Sequence, residues 1–376
     1  MDREKRYKLK TLEIEGFKSI GTKQSITLGD INVLIGANGV GKSNLVSFFQ
    51  MLSYITARKL QMFIGKQGYA DSLLYYGSRK TEQFAAKLRF EDSNHYCEYD
   101  FALTHSFQGQ MMYAYENVKT SKPNMLSGKS TNLSVSDGGH SESLLSFNKA
   151  LPMELEVFTL LSRCRVYQFH DTSEKASIRQ PGDKDDDRSL RSDAGNLGAY
   201  LYAMRVSKTG RRYYQRIVKR IQKIMSQFED FFLEPAVENS QQIKLQWRAK
   251  GHEHVFGAHQ ISDGSLRYMA LATLLLQPPK SLPNVIVIDE PELGLHPEAL
   301  IDLVGMIKIA AQNSQIILST QSSFLLNFFN AEDIIVVESK DDSTVFNRLD
   351  PERFAEWIKD YSMSELWEKN LVGGRP

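Results

Sequence analysis

The chain has 376 residues, 41% of them hydrophobic, and a formal net charge of +1 at pH 7. That length allows one large domain with insertions or two ordinary ones, and the hydrophobic share supports a sizeable core. Near-balanced charge excludes a globally basic nucleic-acid binder, so any such surface has to be local.

The N-terminus, Met1-Asp2-Arg3-Glu4-Lys5-Arg6, carries charges where a signal peptide needs an apolar core. No apolar run approaches the roughly 18–20 residues that cross a bilayer. Cys97 and Cys164 stand far apart and lack metal-ligand spacing, which suits a reducing compartment. A soluble, cytoplasmic protein is expected, with no membrane partner.

Residues 8–30 alternate as a hairpin, with Leu9, Leu12, Ile14 and Phe17, then Ile20, Ile26 and Leu28, punctuated by Gly16, Gly21 and Gly29-Asp30. They predict antiparallel sheet beside the next strand, Ile31–Ile35. That apolar run breaks into Gly36-Ala37-Asn38-Gly39-Val40-Gly41-Lys42-Ser43, and Asn44 to Phe49 reads as the start of a helix. Strand, Gly-x-x-x-x-Gly-Lys-Ser, helix is the context that makes a phosphate-binding P-loop. Gly36, Gly39 and Gly41 let successive backbone N–H groups turn toward a phosphate, where a Cβ would obstruct. Asn38 and Asn44 flank the cradle, and the helix start adds orphan donors and a positive dipole end. Lys42 is expected at the β/γ-phosphates and the Ser43 hydroxyl on Mg²⁺. A helical pattern continues from Leu45 to about Phe63.

Within residues 84–118, Phe84–Phe90 and Tyr96–Phe101 read as further antiparallel strands. Residues 119–150 are rich in Ser, Gly and Asn and read as a surface loop or mobile insertion. Residues 171–195 are equally polar, and their Asp185-Asp186-Asp187 reads as solvated loop ahead of metal site. Residues 196–234 are strongly helical, with Tyr213, Ile217, Ile221, Ile224 and Phe228 on one face and Arg212, Arg216, Lys219, Arg220 and Lys223 largely on the other. The cationic face suits a solvated lobe helix first and a phosphate-backbone or partner-binding stripe second.

His259 to Arg267 precedes an apolar helix from Tyr268 to Leu276, with Ser262 as its N-cap and a Ser-x-Gly backbone that offers a second anion site. Val285–Ile288 is a strand buried on both faces, ending in Asp289-Glu290. Carboxylates at such a strand end point into the crevice where open α/β sheets bind ligands. Asp289 suits Mg²⁺, and Glu290 is placed to orient or deprotonate a water attacking the γ-phosphate. Ser314–Ser322 is another buried strand ending in polar residues, fit for a γ-phosphate sensor. Asp333–Glu338 is a further strand.

With these elements in this order, the chain resembles an ABC-type P-loop ATPase head of the group that includes SMC, RecF and the overcoming-lysogenization-defect (OLD) nucleases, and within it the free-standing AAA ATPases. The motifs cover residues 8–50 and 160–340. The resemblance implies an α/β fold with a mixed central sheet, an antiparallel β subdomain and a helical signature lobe. One head would span the chain: a nucleotide-binding core in 1–50 and 255–350, the sheet subdomain in 51–165 with its insertion at 119–150, the lobe in 190–260 and a tail in 351–376. It assigns a γ-phosphate- and metal-sensing glutamine to Gln168, with His170 second, in Val166–Thr172. It maps the signature serine and glycine to Ser262 and Gly264, with Asp263 replacing the usual central glycine. Asp289 and Glu290 become the Walker B pair. Gln321 stands where a switch histidine is expected; it donates a hydrogen bond but carries no proton, which implies slow or partner-dependent turnover.

The implied mechanism docks two copies face to face around ATP and Mg²⁺, each nucleotide lying between the P-loop of one and the Ser262–Gly264 loop of the other, as a homodimer or higher oligomer. Glu290-driven hydrolysis then separates them. About forty residues follow Glu338, too few for the TOPRIM nuclease domain of OLD enzymes. The resemblance therefore implies an ATPase that controls a separately encoded effector, such as a nuclease, in anti-phage defence. Two alternatives stand beside it: a RecF-like ATPase holding DNA on the Arg212–Lys223 face, and a nucleotide-gated scaffold that hydrolyses little.

Overall fold

Ile31–Ile35 forms a strand buried from Asn32 onward, as its four apolar residues, Ile31, Val33, Leu34 and Ile35, require. It belongs to a computed structural model that describes residues 6–106, 109–123, 130–145, 152–235, 239–354 and 356–374. The chain divides into two units, Met1–Val166 with Pro283–Val287 and Ile317–Pro376, and Tyr167–Leu282 with Ile288–Ile316.

The first unit holds a six-stranded antiparallel sheet in the order Gln24–Thr27, Lys8–Glu15, Gln83–Glu91, Tyr96–His105, Met111–Pro123, Ser130–Ser136. The 8–30 hairpin forms with Leu12 opposite Ile26, but it extends this sheet through Gln83–Glu91 and does not pair with Ile31–Ile35. Its buried residues Leu9, Leu12, Ile14 and Phe17 share one apolar cluster with Phe84, Phe90 and Phe101, a demand for aromatic volume that outweighs adjacency in sequence.

The P-loop strand lies instead in a mixed sheet ordered Ser343–Arg348, Ile334–Lys340, Ile31–Ile35, Gln315–Ser319, Val285–Asp289, Cys164–Tyr167. Val33–Ile35 runs parallel to Ile334–Val336, while Ile335–Lys340 returns antiparallel along Ser343–Arg348. The helix Lys42–Thr56 buries Leu45, Val46, Phe48, Phe49, Met51, Leu52 and Ile55, and Phe48 meets Phe17 edge-on at 5.9 Å. It ends before Phe63 because Arg58 takes a left-handed φ of 54°; a separate helix, Leu60–Lys66, follows.

Residues 119–150 depart from the expected loop. Met111–Pro123 and Ser130–Ser136 pair as strands, Val118 opposite Leu133; residues 124–129 and 146–150 lie outside the described set. The return segment is anchored on the buried carboxylate of Glu116, which accepts from Tyr99 Oη at 2.7 Å, Ser143 Oγ at 2.5 Å and the Leu144 N–H at 3.0 Å. An edge strand satisfied by its neighbour needs little apolar patterning, so composition alone misreads it.

In the second unit, residues 196–234 form two helices, Leu197–Val206 and Arg211–Ile224, then a strand, Phe228–Phe232. That strand begins an antiparallel sheet with Gln246–Ala249 and Val255–Gly257, so Phe228 leaves the helix face on which periodicity placed it. Tyr214, Ile217, Val218 and Ile221 are the buried stripe. Tyr213 lies half outside it, accepting from Arg212 Nη2 at 2.8 Å. Helices Asp263–Leu276 and Pro297–Ala311 complete the unit. Among the described residues, no helix is long and apolar enough to cross a membrane.

Both cysteines are free and fully buried. Burial pushes the Cys164 thiol up to about 12 and Cys97 upward as well. A raised pKa keeps each sulfur protonated at neutral pH, and the thiolate is the nucleophile. Neither should react with a disulfide reagent at pH 8 in the native protein, and both should titrate once denaturant unfolds it. A rapidly labelled native thiol would contradict this packing.

Candidate functional site: a phosphate loop and an acidic strand tip

Lys42 is the pivot of the first unit's site. Its side chain is buried, at 5% exposure, and its ammonium donates to the carbonyls of Gly36 at 2.5 Å and Ala37 at 2.8 Å. A buried cation needs such oxygens, and these are the groups that phosphate oxygens would replace. Gly36 has no room for a side chain, since a Cβ would stand 2.3 Å from the Val337 carbonyl oxygen. Gly41, at φ 111°, precedes the helix as its N-cap and supplies no side-chain cap hydrogen bond. Asn38, Gly39 and Ser43 are exposed on the loop; Gly39 takes φ 80°.

Two residues that the sequence reading passed over, Ser19 and Thr344, join the expected Asn44 in wrapping this loop. Asn44 Nδ2 donates to Ser19 Oγ at 2.6 Å, Ser19 and Thr344 share a hydrogen bond of 2.6 Å, and Thr344 Oγ1 donates to the Val40 carbonyl at 2.7 Å. A Cβ on Gly41 would fall 2.3 Å from that Thr344 oxygen and 2.7 Å from Ser19 Oγ. Beside them Lys18, at φ 50°, donates to Ser47 Oγ and Gln67 Oε1, both at 2.8 Å. Burial holds its pKa below the usual lysine value. Gln321 is exposed, one residue past Thr320, whose N–H donates to the Leu34 carbonyl at 3.1 Å. That bond ties the Gln321 segment to the P-loop strand.

The second unit assembles the other predicted residues. Gln168 Nε2 donates to Asp289 Oδ2 at 2.9 Å, which brings together two of the three residues expected at the metal, the third being Ser43. His170, the second candidate, uses Nε2 at 2.9 Å from the Asp289 carbonyl oxygen and so clamps backbone. The remaining carboxylate oxygen, Asp289 Oδ1, is buried with no hydrogen-bond partner among the described residues. An oxygen left so, beside an amide, suits a hard divalent cation such as Mg²⁺. Glu290 follows at φ 44°, a conformation that costs a non-glycine residue about 1–3 kcal/mol and collects at functional positions. Among the described residues, no group of three or more His, Cys, Asp or Glu offers another metal site.

Arg267 organises this tip, and spacing gave no sign of it. Its guanidinium donates to the carbonyls of Phe169 at 3.0 Å, His170 at 2.8 Å and Leu293 at 3.2 Å, and to Thr172 Oγ1 at 3.2 Å. It thereby bridges the Gln168 segment and the turn after Glu290. Ser262 caps the helix Asp263–Leu276 as expected, accepting from the Ser265 N–H at 3.3 Å. Asp263 receives Arg179 Nη2 at 2.7 Å, and that hydrogen bond holds its carboxyl below the usual carboxylate range. Arg179 also donates to the carbonyls of Thr172 at 2.7 Å and Ile261 at 3.1 Å. The polar 171–195 stretch is thus fastened to the Ser262–Gly264 loop.

The cationic helix face is partly neutralised. Buried Asp302 accepts from Arg220 at 3.0 Å, Lys223 at 2.8 Å and Tyr268 Oη at 2.6 Å. Arg212, Arg216 and Lys219 remain exposed along a groove of about 450 Å³.

The Smc head bound to the C-terminal winged-helix domain of ScpA superposes with a TM-score of 0.56 at 16% identity, covering 92% of this chain and 99% of that one. The Pyrococcus furiosus Smc head with an extended coiled coil, bound to the C-terminal domain of ScpA, gives 0.56 at 14% identity over 94% and 99%. The fold is that of a P-loop ATPase head. Residues 146–327 of this head match the AAA_21 family, described as an AAA domain of AbiEii toxin type from a type IV toxin–antitoxin system. Comparison with curated proteins gives no match.

The loop at Ser262–Gly264 depends on Gly264, where a Cβ would stand 2.2 Å from the Gly294 carbonyl oxygen. Gly264→Ala should destabilise by about 1–3 kcal/mol through overpacking. Gly305, inside the helix Pro297–Ala311, has its nearest neighbour at 3.7 Å, so Gly305→Ala should stabilise by up to about 1 kcal/mol. Thermal unfolding of the two variants checks the contrast, and equal melting temperatures would refute it.

Proposed function

We propose that the chain is an ATP-binding and ATP-hydrolysing subunit that dimerises head to head around nucleotide and controls a separately encoded effector. The observation that carries the reading is Lys42, a buried ammonium held by its own loop's carbonyls and ready to exchange them for β- and γ-phosphate oxygens. The amides of residues 38–44 then cradle the phosphates. Ser43, Asp289 and Gln168 would hold Mg²⁺, which supplies charge neutralisation on the β- and γ-phosphates. Glu290 accepts the proton of the attacking water as its oxygen bonds the γ-phosphorus and the bond to the β-phosphate oxygen breaks. Gln321 donates to a γ-phosphate oxygen. Ser262 and Gly264 of a second copy close the site at the helix start capped by Ser262.

The matched family's toxin–antitoxin description supports a two-component system, and the Smc heads' ScpA partner supports a protein effector. A nuclease in anti-phage defence is the effector we favour. Arg212, Arg216 and Lys219, exposed along their groove, favour a second reading in which DNA is a direct partner. That reading requires ATP-dependent DNA affinity that falls steeply with salt and is lost when these three cations become alanine. Salt-independent binding would rule it out. A nucleotide-gated scaffold is set apart by steady-state phosphate release, which it would barely show.

Lys42→Ala should abolish ATP binding, and unchanged affinity in that variant would sink the phosphate-loop assignment. Glu290→Gln should bind ATP normally, release phosphate at least about a hundredfold more slowly and accumulate an ATP-bound dimer by light scattering. Adding Ser262→Arg should leave ATP bound to a monomer. A dimer that persists in the double variant would overturn the head-to-head arrangement.

A further inference from the structure

The phosphate loop is gripped by a segment that none of the catalytic motifs contains. After the helix Met363–Glu368 the chain turns back through Asn370, Gly373 and Gly374, at φ 54°, 84° and 75°. Leu366 and Val372 are buried. The Gly374 N–H donates to Glu338 Oε1 at 2.8 Å. Glu338 is the next residue after Val337, whose carbonyl already walls in Gly36. A Cβ on Gly374 would stand 2.7 Å from Val336 Cγ1, 3.5 Å from Gly36 Cα and 3.6 Å from Trp367 Nε1; one on Gly373 would stand 2.4 Å from Glu338 Oε1. Trp367 Nε1 is itself buried without a hydrogen-bond partner among the described residues. The turn therefore admits glycine alone and lies directly against the residue whose carbonyl receives Lys42.

We propose that the Gly373–Gly374 turn, latched by Glu338, is a positioning element for the phosphate loop. It holds Gly36 between the Val337 carbonyl and the Gly374 backbone. The Gly36 carbonyl and the following amides then keep the orientation that phosphate binding needs. This goes beyond the catalytic motifs and rests on the reading that the loop binds a nucleoside triphosphate. Its residues touch no phosphate, so they act through Gly36.

The test compares Glu338→Ala, Glu338→Gln and Gly374→Ala with the full wild-type chain. Glutamine keeps an Oε1 acceptor for the Gly374 N–H, alanine removes it, and a Cβ at Gly374 displaces the turn. Without nucleotide, hydrogen exchange over residues 31–42 should speed up in Glu338→Ala and Gly374→Ala and match wild type in Glu338→Gln. Exchange over the helix Asp263–Leu276 should be the same in all four proteins. With ATP, the two disruptive variants should raise KM about tenfold and leave kcat within twofold, while Glu338→Gln stays within twofold in both. Wild-type exchange in Glu338→Ala, or failure of glutamine to restore it, overturns the proposal. Since exchange is read without nucleotide, it decides the latch even if the wild-type chain ignores ATP, a result that would end the ATPase reading alone.

Discussion

A positive charge withdrawn from water has to be surrounded by oxygen, and that demand at Lys42 shapes the first unit around it. The carbonyls of Gly36 and Ala37 answer it, which obliges the loop to curl back over its own lysine. The curl needs glycine at Gly36, because the adjacent strand's Val337 carbonyl leaves no space, and at Gly41, where Ser19 and Thr344 press in. The ammonium is thus satisfied by the protein's own oxygens, and under the proposed function an arriving phosphate would exchange one oxygen shell for another instead of meeting a naked charge. Exchange of this kind avoids the desolvation cost that an empty cationic pocket would carry.

The acidic strand tip follows the complementary logic. Asp289 has one carboxylate oxygen matched by Gln168 and the other matched by nothing among the described residues. Arg267 fixes the backbone on both sides of the pair. The carboxylate's position is thus set by a cation that does not neutralise it, since the guanidinium spends four donors on carbonyls and a hydroxyl. Its negative charge stays available to a metal. Glu290, held in a left-handed conformation, shows the same priority of position over local comfort.

Contiguous patterns were legible in the sequence, and contacts assembled across it were not. Ile31–Ile35, Val285–Asp289 and Gln315–Ser319 announce themselves because a strand buried on both faces carries a run of adjacent apolar residues, Val33–Ile35, Val285–Ile288 and Ile316–Leu318. The phosphate loop is read from spacing, since its glycines and lysine serve one continuous turn. Ser19 and Thr344 escape that reading because 325 positions separate them, and nothing in either neighbourhood marks a shared hydroxyl bond. Arg179 and Arg267 look like ordinary surface cations until the carbonyls they serve are placed. The helix predicted through Phe228 failed for a related reason: its aromatics pair with a strand that begins at Gln246, and non-local pairing outvoted local periodicity. Ser-rich residues 130–136 misled in the opposite sense, their strand being held by backbone pairing to Met111–Pro123.

The relay from Asn44 through Ser19 and Thr344 to the Val40 carbonyl has an implication for how such a chain drifts over generations. Each hydroxyl is at once donor and acceptor, so losing any one strands the polar atoms on either side of it. Viable change at these positions should therefore arrive in concert, two or three replacements inherited together. Three places scattered along the gene then behave as a single hereditary letter.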